Sequence, residues 1–156
     1  KTAAQYTAVV GPGAEIVVDD ARDAGRDPDA PDVGRVLDRD LQLVVNGLWQ
    51  AGAEAMAVNG MRLTARSSIR FAGNALLVDF RPLTRPYLIT AIGDPQALEP
   101  SFAATVAGGY LSALVDNYSI RAEFAAADSL SVPSATGLDL TSAQVLRGAT
   151  TGTSGG

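Results

Sequence analysis

Cysteine and histidine are absent from this 156-residue chain, and its one lysine, Lys1, stands beside eleven arginines. Without thiolate or imidazole, the chain cannot assemble the Ser-His-Asp or Cys-His arrangements of nucleophilic catalysis. The preferred ligands of zinc, copper, haem and iron–sulfur sites are missing as well. We therefore expect no metal site, no cofactor and no enzymatic activity.

Positive charge is also scarce, since the net charge is −5 and the isoelectric point is near 4.5. This balance opposes the attraction to phosphates on which nucleic-acid binding depends, so we expect no nucleic-acid partner. No apolar run reaches the roughly 18 residues that a membrane span needs. The length and the 47% apolar content predict one globular domain with an ordinary core.

Two segments and one set of acidic residues could carry chemistry, but none of them matches a known catalytic or binding pattern. The stretch 19–40 holds eight of the seventeen acidic residues, yet it lacks the spacing of a calcium loop and favours a solvated loop. Gly11-Pro12-Gly13 lacks both the dinucleotide fingerprint and the Walker lysine, so it predicts a turn. A carboxylate-dependent hydrolase is a third hypothesis, but no spacing pairs the acids near the core, which are Asp40, Glu54, Asp79 and Asp94.

Helical periodicity is strongest in the first half of the chain. Leu41, Val44, Val45 and Leu48 recur at i, i+3, i+4 and i+7, which predicts an amphipathic helix capped by Asp38 or Asp40 and ended by Gly52. A second helix is predicted to start at Gly93-Asp94-Pro95 and to weaken at Gly108-Gly109. Its expected inner face consists of Leu98, Phe102, Val106, Leu111, Leu114 and Val115.

Strand and turn signals occupy most of the remaining chain. Asn59-Gly60 predicts a hairpin within 56–63, and Gly73 predicts a second turn between strands at 68–72 and 74–80. The other predicted strands are Ala14–Asp19, a brief Gly34–Leu37, Tyr87–Ile92, Ile120–Phe124 and a short edge piece at Leu130–Pro133.

These elements predict a two-layer α+β fold with a mostly antiparallel sheet of five or six strands and two helices on one face. A ferredoxin-like variant is the nearest named architecture. The domain is expected to span 11–135 with an acidic mobile loop at 19–33, between the end of an upstream linker at 1–10 and a flexible tail at 136–156.

Candidate binding residues are few. Arg62, Arg66 and Arg70 recur in adjacent strand segments and could form a basic patch for an anionic glycan or lipid. Pairing with acidic residues across the sheet is the favoured alternative. Asn46 on the first helix and Asn59 in the hairpin turn are weaker candidates, for which structural roles are favoured.

Several segments together resemble the YlxW-like family of uncharacterised bacterial proteins (uncharacterised protein family 0749, domain of unknown function 881). They include Val45-Asn46-Gly47-Leu48-Trp49, Val58-Asn59-Gly60 and Ala91-Ile92-Gly93-Asp94-Pro95, and the match covers about residues 6 to 135. The arginine and alanine bias suggests an actinobacterial member. The sequence departs from the family pattern at Gly47 and at Phe80-Arg81-Pro82.

The resemblance implies a location and a role. It implies a cytoplasmic start, one transmembrane helix and a coiled coil upstream of Lys1, with this domain outside the cell membrane and a homodimer formed through the coiled coil. It also implies a cell-envelope or cell-division setting. The leading hypothesis is a non-enzymatic interaction module for a protein partner, and the alternative is a binding module for an anionic envelope glycan or lipid.

Overall fold

The computed structural model describes residues 7–135. Its strands are β1 (Val9–Asp19), β2 (Ala55–Val58), β3 (Met61–Leu63), β4 (Ile69–Ala72), β5 (Ala75–Val78), β6 (Arg81–Leu83), β7 (Tyr87–Ile92) and β8 (Arg121–Val132). Its helices are α1 (Asp38–Gln50), α2 (Leu98–Ala103) and α3 (Val106–Tyr118). No helix within this range is both long and apolar enough to cross a membrane.

The larger sheet has five strands in the order β3-β2-β7-β1-β8, and all of its pairs are antiparallel. Alternation along the strands turns one face toward the main core, to which β1 contributes Ala14, Ile16 and Val18. Ile89 of β7 lies opposite Ile16 in register and is fully buried. All three helices contribute side chains to the same cluster.

The other face of the larger sheet is covered at one end by its own strands. The register between β1 and β8 shifts between Gly11 and Gly13. Beyond this irregularity, Val132 packs in a second cluster with Ala55, Ala57 and Ile92. Gly13 permits the close approach of β7, because a Cβ atom at this position would lie 1.9 Å from the carbonyl oxygen of Ala91.

The smaller sheet has three antiparallel strands in the order β4-β5-β6. Its inner face buries Ile69, Leu76, Val78 and Leu83 in the main core, and β4 contacts α1. Two turns connect the strands, one at Gly73 and one at Asp79-Phe80, where both residues have positive φ.

Helix α1 is held against α2 and α3 at Gly47. A Cβ atom there would lie 2.7 Å from Cβ of Ala107 and 2.9 Å from Cε1 of Phe102, so the absence of a side chain allows this contact. The N-cap residue of α1 is Leu37, and the carboxylate of Asp40, three residues later, accepts a hydrogen bond from the Leu37 amide at 2.8 Å.

The α+β class, the antiparallel pairing, α1, β7 and the turns at Asn59-Gly60 and Gly73 are confirmed. The prediction of one sheet was wrong in detail, because the strands divide into two sheets. Strand β6 was not predicted. The predicted strand 74–80 ends at Val78, because the chain turns at Asp79-Phe80 and returns as β6. The likeness to a ferredoxin-like architecture stays a prediction.

The second helix differs from its prediction because it breaks into α2 and α3. The hydroxyl of Thr105 accepts a hydrogen bond from the Gly108 amide at 3.0 Å and starts a new helix. The break turns Val106 to solvent with 87% of its surface exposed, so its assignment to the inner face was wrong. Asp94 forms the turn that precedes α2, where its carboxylate accepts from the Gln96 amide.

Three further strand boundaries needed correction. Residues 34–37 form no strand. Gly34 ends a turn, and residues 35–37 lead from it into α1. β1 begins at Val9 rather than Ala14, within the range predicted as the end of a linker. Leu130 and Val132 belong to the long β8, because they pair with the start of β1. The predicted tail at 136–156 lies outside the described residues.

Candidate functional site

An open cleft of about 550 Å³ lies between α1, the edge strand β3 and the β3–β4 connection. We call it the Trp49 cleft. Its lining residues are Gln42, Val45, Asn46, Trp49, Glu54, Arg62, Leu63, Thr64, Ala65, Ser67 and Ile69. Two of the five predicted binding residues, Asn46 and Arg62, are therefore brought together in one concave surface.

The Trp49 cleft combines an apolar floor with a polar rim. Val45, Leu63 and Ile69 are buried members of the main core and form the floor. Helix α1 forms one wall through Gln42, Asn46 and Trp49, which lie at i, i+4 and i+7 and therefore share one side of the helix. This composition is typical of binding sites, where apolar contacts supply affinity and a few polar groups fix orientation.

Several polar groups on the rim are unused by the fold. Within residues 7–135, the side chains of Asn46, Trp49 and Glu54 take part in no hydrogen bond or ion pair. They offer an amide, an indole N–H donor and a carboxylate acceptor to whatever enters the cleft. Trp49 is half-buried, so it also presents ring surface at the opening.

The far wall of the cleft is a hydrogen-bonded turn. The Thr64 amide donates to the Ser67 hydroxyl at 2.8 Å, and the Ser67 amide donates back to the Thr64 carbonyl at 3.1 Å. At one end, the Gln42 side chain donates to the Ile69 carbonyl at 2.6 Å and joins α1 to β4. These bonds hold the walls in place before any ligand binds.

Arg62 has a structural role that the sequence did not indicate. Its Nη1 donates to the carbonyl oxygens of Thr7 at 2.7 Å and Pro133 at 2.8 Å, so it joins β3 to the ends of β1 and β8. Burial lowers the pKa of the Arg62 guanidinium below its usual value. The predicted cluster of three arginines is therefore divided, because Arg62 belongs to the larger sheet.

The other predicted site residues lie outside the cleft. Asn59 occupies the β2–β3 turn at φ +48°, where its side chain donates to the Thr84 carbonyl and accepts from the Leu88 amide. Arg66 is exposed in the β3–β4 connection, and Arg70 is exposed on β4, where its Nε donates to the Ser68 hydroxyl at 3.1 Å.

A second cleft of about 550 Å³ lies where α3 approaches the start of α1. Here Tyr110 donates its hydroxyl proton to Asp40 at 2.7 Å, and this bond is the main reason that the pKa of Tyr110 is raised. Asp40 is the buried charged residue of the described core. Both of its oxygens accept hydrogen bonds, one from Tyr110 and one from Leu37, so this pair serves the fold.

The carboxylates of the described residues are not gathered into a metal site. Among residues 7–135, no group of three or more acidic, histidine or cysteine residues could hold a metal ion. Glu54 is the carboxylate that lines the Trp49 cleft, and the sequence supplies no histidine, cysteine or second cleft carboxylate to act with it.

Trp49 was not among the binding residues predicted from the sequence, and the cleft was not predicted either. The available signal was the stripe Gln42, Asn46 and Trp49 beside the apolar stripe of α1. An amide and aromatic stripe at helical spacing is unusual for a plain solvent face, but only the position of the β3–β4 connection turns it into a concave site.

Comparisons with known proteins agree with this fold. Residues 1–144 match the family described as "Bacterial protein of unknown function (DUF881)". The chain is 39% identical over 140 residues to the UPF0749 protein Rv1823 of Mycobacterium tuberculosis, a match that covers 84% of this chain and 45% of that protein. It is 37% identical over 118 residues to the UPF0749 protein YlxW of Bacillus subtilis, with 74% and 49% covered.

A solved structure has the same overall shape. The crystal structure of an uncharacterized conserved protein from Mycobacterium tuberculosis matches with a TM-score of 0.65 and 28% identity, and the match covers 83% of this chain and 84% of that one. The chain spans about half the length of the curated relatives that it matches.

Proposed function

We propose that this chain, which belongs to the DUF881 family of bacterial proteins of unknown function, is a non-enzymatic binding domain whose Trp49 cleft takes an extended segment of a protein partner. The observation that carries the proposal is the set of rim groups, Asn46, Trp49 and Glu54, that the fold leaves unused above an apolar floor. An aromatic anchor surrounded by exposed polar groups is typical of protein interfaces.

A protein segment fits the chemistry of this cleft better than a uniformly charged ligand. The rim presents one carboxylate, one guanidinium, two amides and hydroxyl groups. It therefore contains one negative and one positive group as well as neutral hydrogen-bond donors and acceptors. The floor of Val45, Leu63 and Ile69 suits one apolar side chain of the partner. A backbone with alternating side chains can satisfy both sets of contacts.

The absence of catalytic groups supports a non-enzymatic role. The chain contains no histidine or cysteine, and its one lysine is Lys1. In the cleft, Glu54 and Arg62 are the ionisable residues, and Arg62 is engaged with two backbone carbonyls. Binding is therefore the function that this geometry serves best.

The proposal also includes the setting that the family resemblance implies. We place this domain outside the cell membrane, tethered by an upstream transmembrane helix, in the machinery of envelope growth or cell division. A fusion of the full-length protein to a reporter that is active only outside the membrane would test the location, and activity only on the cytoplasmic side would contradict it.

Site-specific crosslinking in cells tests the cleft directly. A photoactivatable amino acid at Asn46 or Gln42 of the full-length protein should capture a discrete partner. The same probe at Ser112, an exposed position of α3, should not capture it. Trp49→Ala should abolish the crosslink without unfolding the domain, since Trp49 is only half-buried.

A fluorescence measurement then tests binding by the purified chain. Trp49 is the single tryptophan, so its fluorescence reports on the cleft alone. A peptide from the captured partner should change this emission and saturate, and Glu54→Gln should weaken the affinity by about tenfold if a charged hydrogen bond is lost. An unchanged emission, or equal capture from Ser112, would refute the proposal.

A further inference from the structure

Positive charge is concentrated in one part of this acidic chain. Residues 61–86 contain five arginines and one acidic residue, Asp79, whereas the remaining chain contains seven basic and sixteen acidic residues. This segment includes the whole of the smaller sheet. Two of these arginines are not part of the smaller sheet, because Arg62 belongs to the larger sheet and Arg85 is paired with Asp19. The smaller sheet and the connection before it keep Arg66, Arg70 and Arg81 against Asp79, and this local excess of positive charge attracts anions.

Three arginines around the smaller sheet remain available to a partner. Arg66, Arg70 and Arg81 are exposed, and none of them forms an ion pair within residues 7–135. By contrast, Arg85 is held by Asp19 at 3.0 Å and Arg121 by the same carboxylate at 2.9 Å. The acidic residues that form ion pairs within residues 7–135, which are Asp19, Asp20 and Asp32, thus bind other arginines.

An aromatic residue projects from the same sheet. Phe80 is 81% exposed in the β5–β6 turn and adopts φ +69°, a conformation that costs a bulky residue roughly 1–2 kcal/mol. Asn or Gly would fit this turn better. This conformation costs free energy and leaves the phenyl ring exposed to water, so Phe80 does not stabilise the fold. Such a residue indicates contact with another molecule.

Two of these arginines lie near the end of the sheet that carries this ring, but on opposite faces, because Arg70 is in register with Leu77 and Pro82 whereas Arg81 is in register with Val78. Arg81 follows Phe80 directly in the chain. Arg70 donates to the Ser68 hydroxyl, and the Ser68 amide donates to the Asp79 carboxylate at 2.9 Å, so Arg70 and the turn share one neighbour. The outer face of the sheet continues from Arg70 to Leu77 and Pro82, which are aligned in register across the three strands.

We infer that the smaller sheet docks on an anionic lipid bilayer through the end that carries the β5–β6 turn, with Phe80 entering the interface between headgroups and acyl chains and Arg66, Arg70 and Arg81 binding lipid phosphates. The surface adjoins the Trp49 cleft at the β3–β4 connection, but none of its four residues lines the cleft, and the inference does not depend on the function proposed for the cleft. Aromatic rings and arginines together are the side chains that favour such an interface. The net charge of −5 opposes a nucleic acid, which would extend beyond the basic sheet.

Vesicle binding by the full chain tests the inference. The probes are vesicles of phosphatidylcholine alone and of phosphatidylcholine with phosphatidylglycerol in equal parts, and the readout is co-flotation with the vesicles. We expect binding to the anionic vesicles only, decreasing as salt rises. The double variant Arg70→Gln with Arg81→Gln should lower the partition coefficient roughly 25-fold, at about fivefold for each arginine.

Matched variants distinguish binding by this surface from nonspecific adsorption of the protein to vesicles. Phe80→Asn removes the ring, suits the positive φ and should lower partitioning by about tenfold. Val106→Asn removes an equally exposed apolar residue on α3, and Arg22→Gln with Arg26→Gln removes two exposed arginines from the acidic connection. Both controls, and Trp49→Ala, should leave vesicle binding unchanged.

Three results would overturn the inference. They are equal binding to neutral and anionic vesicles, losses in the control variants as large as those at Arg70, Arg81 and Phe80, and binding to a short DNA duplex as tight as to the anionic vesicles. Circular dichroism melts establish that each variant is folded, and all substituted residues are exposed or half-buried. A failed vesicle assay with an intact peptide response at Trp49 would leave the function proposed for the cleft standing.

Discussion

The two antiparallel sheets of this domain use the same kinds of tight turn but bury their faces differently. The larger sheet covers one face with three helices and part of the other with the ends of β1 and β8. The smaller sheet buries its inner face and leaves Arg70 and Pro82 of the outer face exposed, with Leu77 half-buried. Folding buries the inner faces of both sheets, whereas much of β8 in the larger sheet and part of the outer face of the smaller sheet stay exposed.

The largest expected effect is in the larger sheet at Gly13. Gly13→Ala should prevent native pairing of β1 with β7, because the new Cβ would lie 1.9 Å from a backbone oxygen that cannot move aside. The matched control is Gly109→Ala in α3, which meets no atom within 4 Å and should stabilise the fold by about 0.5–1 kcal/mol. Circular dichroism and denaturant unfolding measure both, and a stable Gly13→Ala protein would contradict the observed packing.

A second comparison removes one apolar side chain from each sheet. Ile89→Ala in β7 should lower the free energy of unfolding by about 2–5 kcal/mol, since the side chain is fully buried in the main core. Leu77→Ala on the outer face of β5 should cost about 1 kcal/mol or less, because its side chain is only half-buried. Equal losses measured by urea unfolding would show that the smaller sheet is covered on both faces.

The link between the sheets is weaker and depends on charge. Asp19 of β1 binds Arg121 of β8 and also Arg85, which follows β6, and this hydrogen bond raises the pKa of Arg85. Asp19→Asn should lower the midpoint of thermal unfolding by about 2–4 °C at low salt and by less at high salt. The effects of Asp19→Asn and Arg85→Gln should not be additive, whereas additive effects would show that the pair is unimportant.

The smallest expected effect concerns Phe80. Phe80→Gly should leave stability unchanged or raise it by up to about 1 kcal/mol, because glycine accepts φ +69° and the lost ring is exposed. Thermal melts of Phe80→Gly and Leu77→Ala compare the contribution of the turn to stability with that of the outer sheet face. A loss above about 1 kcal/mol would mean that the ring packs within the domain, and the vesicle result for Phe80 would need another explanation.

Local patterns predicted much of this fold because they depend on neighbours in the chain. Asn59-Gly60 formed its hairpin since both residues occupy positive φ, as the motif requires. The break between α2 and α3 was placed too late, at Gly108-Gly109, because the Thr105 cap competes with continued helix. β6 was missed because Asp79-Phe80 lacks the usual turn residues, and only the surrounding strands maintain that conformation.

The candidate site was less predictable than the fold. Asn46 and Arg62 were named from sequence, but for reasons unrelated to the cleft that unites them. Arg62, Arg66 and Arg70 recur every four residues, yet the chain turns between β3 and β4 and places Arg62 in a different sheet from Arg70. Spacing along the chain cannot show this, because it does not record which sheet a strand joins.

Composition and local spacing were sufficient to predict the α+β class, the helix α1, two hairpin turns and the absence of histidine and cysteine chemistry. These properties follow from composition and from interactions within a few residues. The three-dimensional packing was needed to show that the hairpins divide between two sheets, that Arg62 binds the carbonyls of Thr7 and Pro133, and that Trp49 opens onto a cleft. Those properties depend on contacts between residues far apart in the chain, whose free energy exceeds any local preference.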